Sequence, residues 1–438
     1  MPGTRSDQAE RMRTSLRQAP AGARDTFLDV VRATAILAVI GQHWLMPVLS
    51  YDHGRLATGN ALTTPGWWAL TWLSQVMPMV FFAGGAANLM SLRRAASTRD
   101  WLSTRLKRLL VPVLPLFAVW LLAPDLLRDL GAPEQPVQIA GAIAGQLLWF
   151  LAVYLITVAA TPLMLAAHRR WGLRVPLVLT GLAVIVDFGR FEVFGPLGYA
   201  NAVFVWLAVH QLGFSYAEGR LGTLTRRGAA ALAVAGFGVT ALAVAFGPYP
   251  ASMIGMPGAP VSNMSPPTAV LMSLAVGQAG FWLALKPTLA TLAERPAVAA
   301  VLRWSGPRFM SMYLWHMPAL VVVAGIAVLG FGYATPEPGS ADWFAVAPLW
   351  VGAAGVVLAG LLKAFGRFET RPSPAGGVPA GQLAAAAVLA SAGLLGLAAK
   401  GFTTPLDAGM LAGPVPWVAL VLAGLLLAAK PVRVAVRG

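Results

Sequence analysis

The chain has 438 residues, 57% of them hydrophobic and only 11% charged, where an ordinary soluble domain carries about 45–50% apolar and about 25% charged residues. With a strongly positive mean hydropathy and repeated apolar runs of about 20 residues, this composition excludes a soluble globular enzyme, and continuous rather than alternating runs exclude a transmembrane barrel. Cysteine is absent, which excludes a disulfide framework, a thiolate nucleophile and a cysteine-ligated metal.

Residues 1–26 are polar and carry Arg5, Arg11, Arg13, Arg17 and Arg24 with no apolar run, as expected of a cytoplasmic tail and not of a cleaved signal peptide. Twelve apolar segments follow, near 27–49, 67–92, 107–123, 139–166, 175–187, 197–217, 229–247, 268–286, 309–330, 344–363, 380–399 and 413–430. They predict an all-α polytopic membrane protein with about twelve crossings. The fifth, with Pro176 near its start and Asp187 at its end, is short enough to be tilted, bent or partly re-entrant. The uncharged loop 247–267, GPYPASMIGMPGAPVSNMSPP, is predicted to be irregular and to pack over the bundle. The stretch 370–380, TRPSPAGGVPA, reads as a linker, giving a membrane domain over 27–372 and a linker with two further helices over 373–438.

Short cytoplasmic loops collect Lys and Arg. With the amino terminus inside, the inner segments hold 27 of the 32 basic residues. The outer loops hold only Arg55, Arg128, Arg190 and Lys400, and Arg32 lies within the first helix. Both termini are therefore expected in the cytoplasm. The net charge of +15 is then a topology signal facing lipid headgroups and phosphate-bearing solutes, not a nucleic-acid surface.

The first helix reads RDTFLDVVRATAILAVIGQHW. Arg32 and His43 are eleven residues apart, close to three full turns, so both project from one face about 16 Å apart. Asp29, one turn before Arg32, shares that stripe and can pair with it. Ionisable groups at membrane depth are costly unless they face the bundle interior or a wet cavity, and histidine suits proton transfer near neutral pH. A histidine that only hydrogen-bonds a neighbouring helix is the plain alternative.

These residues resemble the membrane acyltransferase 3 family, whose hallmark is Arg, ten residues, then His in the first transmembrane helix. The pattern stands here as Leu28, Asp29, Arg32, Ala35, Ile36, Val39 and His43. A second block is similar to Phe81, Phe82, Gly84 and Gly85, followed by TRLKRLLVP with Arg105, Arg108 and Pro112. LLWFLAVYL with Trp149 and Phe150, MYLWHMP with Tyr313 and His316, and RFETRP with Phe368, Glu369 and Arg371 follow in the family's order. The resemblance covers about residues 24–372. It departs at Gly84, where the family usually has Ser, and the last two helices lie beyond the usual ten-helix core.

The resemblance implies transfer of an acyl group, acetyl for preference, from cytoplasmic acyl-CoA to a hydroxyl of a glycan or other acceptor. It implies no permanently bound cofactor. His43 would act as general base or relay the acyl group, and Arg32 would stabilise the oxyanion or organise the donor. Arg105 and Arg108 would bind CoA phosphates; a topology-setting basic loop is their plain alternative. Asp29, His316, Tyr313 and Trp149 would bind substrate or support the site. His210 reads as a packing histidine, and His53 and His168 as solvated loop residues. No histidine pair has HxxxH or HExxH spacing, so no metal site is expected. The rival class is a twelve-helix secondary transporter with an Asp29/Arg32/His43 relay. The excess of Arg over Lys, with abundant Ala and Gly, suggests a bacterial plasma membrane.

Overall fold

A computed structural model describes residues 25–255, 259, 261–370, 377–404 and 409–430. The amino-terminal arginines, Arg371 and the last residues of the chain lie outside these. The fold is mostly helical. Its principal helices are α1 (Thr26–Leu45), α2 (Met77–Arg93), α3 (Thr98–Leu110), α4 (Val113–Asp129), α5 (Glu134–Gln146), α6 (Leu148–Trp171) and α7 (Arg174–Glu192). The series continues with α8 (Asn201–Ala217), α9 (Arg226–Phe246), α10 (Val270–Glu294), α11 (Phe309–Ala324), α12 (Ala341–Phe365), α13 (Ala380–Lys400) and α14 (Val415–Ala429).

Among the described residues, 10 helical stretches are long and apolar enough to cross a membrane. Two of the twelve expected segments fall short, for different reasons. The fifth forms α7, which carries Arg174, Asp187, Arg190 and Glu192. The last forms α14, only 15 residues long.

The Asp25 carboxylate caps α1, accepting from the Leu28 N–H at 3.1 Å. The helix stops at Leu45, short of the expected 49, because Pro47 lies just ahead and disfavours helix. The chain instead turns into a hairpin, which corrects the all-α expectation at one point. Strands β1 (Pro47–Asp52) and β2 (Arg55–Asn60) pair antiparallel. His53 and Gly54, with φ of 47° and 78°, supply the two left-handed residues that a tight two-residue hairpin turn requires. Both strand edges are covered. Leu49 exchanges hydrogen bonds with Thr335, and the Gln135 amide pairs with both backbone groups of Leu56.

Two large apolar cores, with three smaller clusters beside them, fill the bundle among the described residues. One gathers Leu106, Leu116, Leu148, Leu151, Trp315, Leu394 and Val421 from α3, α4, α6, α11, α13 and α14, so the final helix pair is continuous with it. The other gathers Phe81, Phe82, Trp206 and Leu271 from α2, α8 and α10. Helix α1 is the seam, giving Phe27 and Val31 to the second core and Ile40 and Trp44 to the first. Helices α2 and α8 touch backbone to backbone. A Cβ on Gly85 would stand 2.1 Å from the His210 carbonyl oxygen, and one on Gly213 2.1 Å from that of Phe82, the close approach that small residues permit between membrane helices.

The loop 247–267 packs over the bundle, as its composition implies. Trp72 and Gln75 donate to the carbonyls of Ala251 and Met253, and Arg190 holds those of Ser262 and Pro266. The buried Asp187 carboxylate accepts from Asn201, Tyr249 and the Ala269 N–H, which ties α7, α8 and this loop together.

His168 is not a solvated loop residue. Helix α6 runs past the expected end at 166, which turns His168 onto α8 and leaves it 2% exposed. Its Nδ1 lies 2.7 Å from Gln211 Oε1 and its Nε2 3.0 Å from Glu218 Oε2. Gln211 donates its Nε2 to the Met164 carbonyl, so its oxygen faces the ring. Glu218 also accepts from Arg93 at 2.6 Å. Burial alone would raise the Glu218 carboxyl, but His168 and Arg93 more than offset it and hold it below the usual carboxylate range.

Near the opposite end of the sequence, the short helical turn Arg367–Thr370 places Glu369 at the start of α11. Its two carboxylate oxygens accept from the N–H groups of Met310 and Ser311 at 2.8 and 2.7 Å, satisfying donors that a helix start leaves without intrahelical partners. Burial raises the Glu369 carboxyl, against the opposing pull of these hydrogen bonds and of the Arg108 charge.

Two stability measurements check these readings. A depressed folded-state pKa contributes stability that is present above the unfolded value, about 4.3 for Glu, and lost as pH falls toward the folded value. Glu218→Gln should therefore lower the melting temperature, read by tryptophan fluorescence in detergent, near pH 7, and the gap to wild type should close at acid pH. Glu369→Ala should cost about 0.5–2 kcal/mol, the range for a lost helix cap, read as a lower melting temperature.

Candidate active site

Helices α1 and α11 run side by side in the same direction and meet at two levels. At the lower level the Arg32 guanidinium lies over the Phe309 ring, 4.9 Å from its centroid. At the upper level His43 Nδ1 is 2.9 Å from His316 Nε2, with the rings stacked at 5.1 Å and 24°. His316 is fully buried, whereas His43 is half-buried.

The protons of this pair follow from its neighbours. His316 Nδ1 lies 2.7 Å from the Tyr313 carbonyl oxygen, which only accepts, so Nδ1 carries the hydrogen. In the neutral pair, His316 Nε2 then offers a lone pair, and His43 Nδ1 donates to it. The remaining nitrogen, His43 Nε2, is left with a lone pair and no hydrogen-bond partner among the described residues. A basic nitrogen of fixed tautomer, backed by a second oriented group, is the arrangement a general base requires.

The surroundings hold this pair in place. Trp44 donates its indole N–H to the His316 carbonyl at 2.8 Å, and Trp350 donates to the Trp44 carbonyl at 2.9 Å. The Tyr313 hydroxyl is anchored on the Leu147 carbonyl at the junction of α5 and α6. The Tyr313 ring meets the Phe150 edge at 5.1 Å. Trp149 stands one ring further away, packed on Phe150 at 6.3 Å. Among the described residues it makes no ring contact or hydrogen bond with the histidines.

The basic residues gather below. Arg105 Nη2 reaches Ser91 Oγ at 2.5 Å and the Ala87 carbonyl at 3.5 Å. It stands within electrostatic reach of both Arg32 and Arg108. Arg108 is exposed and acts on Glu369. Arg32 is itself exposed, not enclosed in the bundle, and Asp29 is half-buried one turn before it. Along a continuous helix Arg32 lies about 16 Å below His43. The stripe expected on α1 is therefore divided into a guanidinium cluster toward one end and an imidazole pair in the last turn at the other.

The other histidines lie elsewhere. His210 is buried between α2 and α8 and bonds Asn88 at 3.2 Å. His53 is exposed in the hairpin turn beside Asp52. Among the described residues, no group of three or more His, Asp or Glu side chains is placed to hold a metal. Sequence reasoning missed the Tyr313 carbonyl, which has no signature in the residue types, and singled out Glu369 only as part of the RFETRP block, not as a cap on α11. It also left Gly84 unexplained: a Cβ there would stand 2.8 Å from Tyr154 Cε2 and 2.9 Å from its Oη, so the Tyr154 ring fills the space that a side chain would need.

No curated protein and no solved structure matches the chain. A family model does: that of the acyltransferase 3 family, described as an acyltransferase domain, matches residues 25–330. The match takes in α1 with Arg32 and His43, the arginines of α3, and His316 on α11, and stops short of Glu369. The chain belongs to the acyltransferase 3 family and is a multi-pass membrane acyltransferase.

Proposed function

We propose that the protein transfers an acyl group from cytoplasmic acyl-CoA to a hydroxyl acceptor, with His43 as general base. The observation that carries this reading is the relay from the Tyr313 carbonyl through His316 to His43, which leaves His43 Nε2 free to take a proton. The acceptor O–H gives its proton to Nε2 while its oxygen attacks the thioester carbonyl carbon. Collapse of the tetrahedral intermediate breaks the C–S bond, and the departing CoA sulfur takes the proton back from Nε2. During the step His43 Nδ1–H donates to His316 Nε2, which steadies the imidazolium. A covalent acyl-histidine is the alternative route through the same atom.

The cluster of Arg32, Arg105 and Arg108 fits the phosphates of the donor. Its separation from His43, about 16 Å along α1, is on the order of an extended pantetheine arm. This favours donor binding for Arg32 over oxyanion stabilisation. Asp29 belongs to the same end. Acetyl as the acyl group and a glycan as the acceptor follow from the family likeness. The basic asymmetry of the loops supports both termini in the cytoplasm and twelve crossings, counting the charged α7 and the short α14, in a bacterial plasma membrane. Lipid and the two substrates are the partners expected; nucleic acid is not.

The rival reading, a secondary transporter using Asp29, Arg32 and His43, is opposed by the fixed tautomer and by the separation of His43 from the lower two. Proteoliposomes supplied with labelled acetyl-CoA and a hydroxyl acceptor distinguish the two readings. His43→Ala should reduce kcat by roughly 10²–10⁴-fold, the usual worth of a general base. His316→Ala should also reduce it, and the double variant should be little worse than His43→Ala alone, because the two rings act as one unit. Unchanged transfer by His43→Ala, or solute uptake without any acyl transfer, would overturn the assignment. Arg108→Ala should raise KM for acetyl-CoA more than it changes kcat.

A further inference from the structure

Between the guanidinium cluster and the histidine pair stands Tyr154, on α6. Its Oη lies against α2 at Gly84. Three residues further along α2, about 4.5 Å of rise, Arg105 reaches the Ala87 carbonyl, and the Tyr154 and Arg105 side chains interact electrostatically. On its other side the Tyr154 ring stacks on Phe150 at 5.7 Å and 29°. Phe150 in turn meets Tyr313 at 5.1 Å, whose carbonyl fixes the His316 tautomer. Tyr154 thus borders the guanidinium cluster and is linked to the histidine pair through Phe150 and Tyr313.

Its hydroxyl is also unlike those of its counterparts. Tyr216 donates to Asp25, Tyr249 to Asp187 and Tyr313 to the Leu147 carbonyl. Tyr154 is half-buried, and its hydroxyl makes no hydrogen bond to any described residue. It is not one of the fully buried polar atoms that lack a partner, so the hydroxyl is open to a bound molecule, to which it can donate. The neighbouring Phe81 and Phe150 offer ring faces and edges, not acceptors for it.

We propose that Tyr154 is a positioning residue for the acyl donor: its hydroxyl donates a hydrogen bond to an amide carbonyl of the pantetheine arm, between the phosphate-binding arginines and the thioester. The proposal rests on the acyl-CoA reading above. Held at its phosphates and again along its arm, the donor would bind more tightly without any change in the chemical step at His43. Gly84 is part of the device, since a larger residue would push the ring out of place.

The test is Tyr154→Phe, which keeps the ring and removes one oxygen. Loss of one neutral hydrogen bond should raise KM for acetyl-CoA about 3- to 10-fold, with kcat within about twofold and the melting temperature not lowered. The increase should be the same for acetyl-CoA and for its 3′-dephospho analogue, because Tyr154 acts on the arm; Arg108→Ala should instead narrow the difference between the two donors. Gly84→Ala, which displaces the hydroxyl without deleting it, should also raise KM. An unchanged KM in Tyr154→Phe would overturn the proposal, and continued dependence of transfer on His43 would leave the acyl-CoA reading standing. Failure of the wild type to transfer from acyl-CoA would overturn both.

Discussion

The bond between His43 and His316 is the constraint on which the rest of the site depends. Two imidazoles 2.9 Å apart share a single proton between them only if something outside the pair decides which ring donates. Here the Tyr313 carbonyl decides it by taking the other hydrogen of His316. The decision passes outward, ring to ring, and ends at His43 Nε2. A lone histidine at the same depth could present either nitrogen; this one is set by a backbone oxygen on another helix.

Such a relay tolerates little slippage between α1 and α11, and the structure restrains that slippage at several heights. Glu369 closes the start of α11, and Arg32 over Phe309 joins the two helices at the same end. Beyond the histidines, Trp44 binds the His316 carbonyl and is itself held by Trp350. The Tyr313 side chain pins α11 to the α5–α6 junction. These restraints come from residues far apart in the sequence, and each uses a backbone carbonyl, a backbone N–H or a ring face. They fix position without placing a further charge beside the imidazoles.

What was legible in the sequence was whatever depends on one helix at a time. The eleven-residue spacing places Arg32 and His43 on one stripe of α1, and apolar length identifies most of the membrane helices. The fifth segment was bounded too tightly by Pro176 and Asp187, since α7 runs as one continuous helix from Arg174 to Glu192. The pairing of His43 with His316 was not legible, because 273 residues separate them and helix periodicity says nothing about which faces meet. His168 was misread for a related reason: the apolar run ends before the helix does, and a short basic stretch concealed a buried side chain. The hairpin escaped notice because Pro47, Val48 and Leu49 extend the hydropathy of α1 while ending its helix. Arg32 falls on the predicted stripe yet is exposed, since a stripe drawn on a helix does not show where its neighbours stop covering it.

Gly84 shows how a departure from a family pattern can be read physically. Its missing side chain leaves room for the Tyr154 ring, 2.8 Å from where a Cβ would stand, and the phenol brings its own hydroxyl to that point on α2. Loss of a hydroxyl at one position and the presence of another across the helix interface are thus one packing decision. Ring and glycine have to be considered together: enlarging the glycine moves the ring, and shrinking the ring opens a void beside helices already in backbone contact at Gly85 and Gly213. The geometry that admits Tyr154 therefore also limits which residues α2 can carry there. That dependence is why a position with no side chain of its own bears on how a donor would be held.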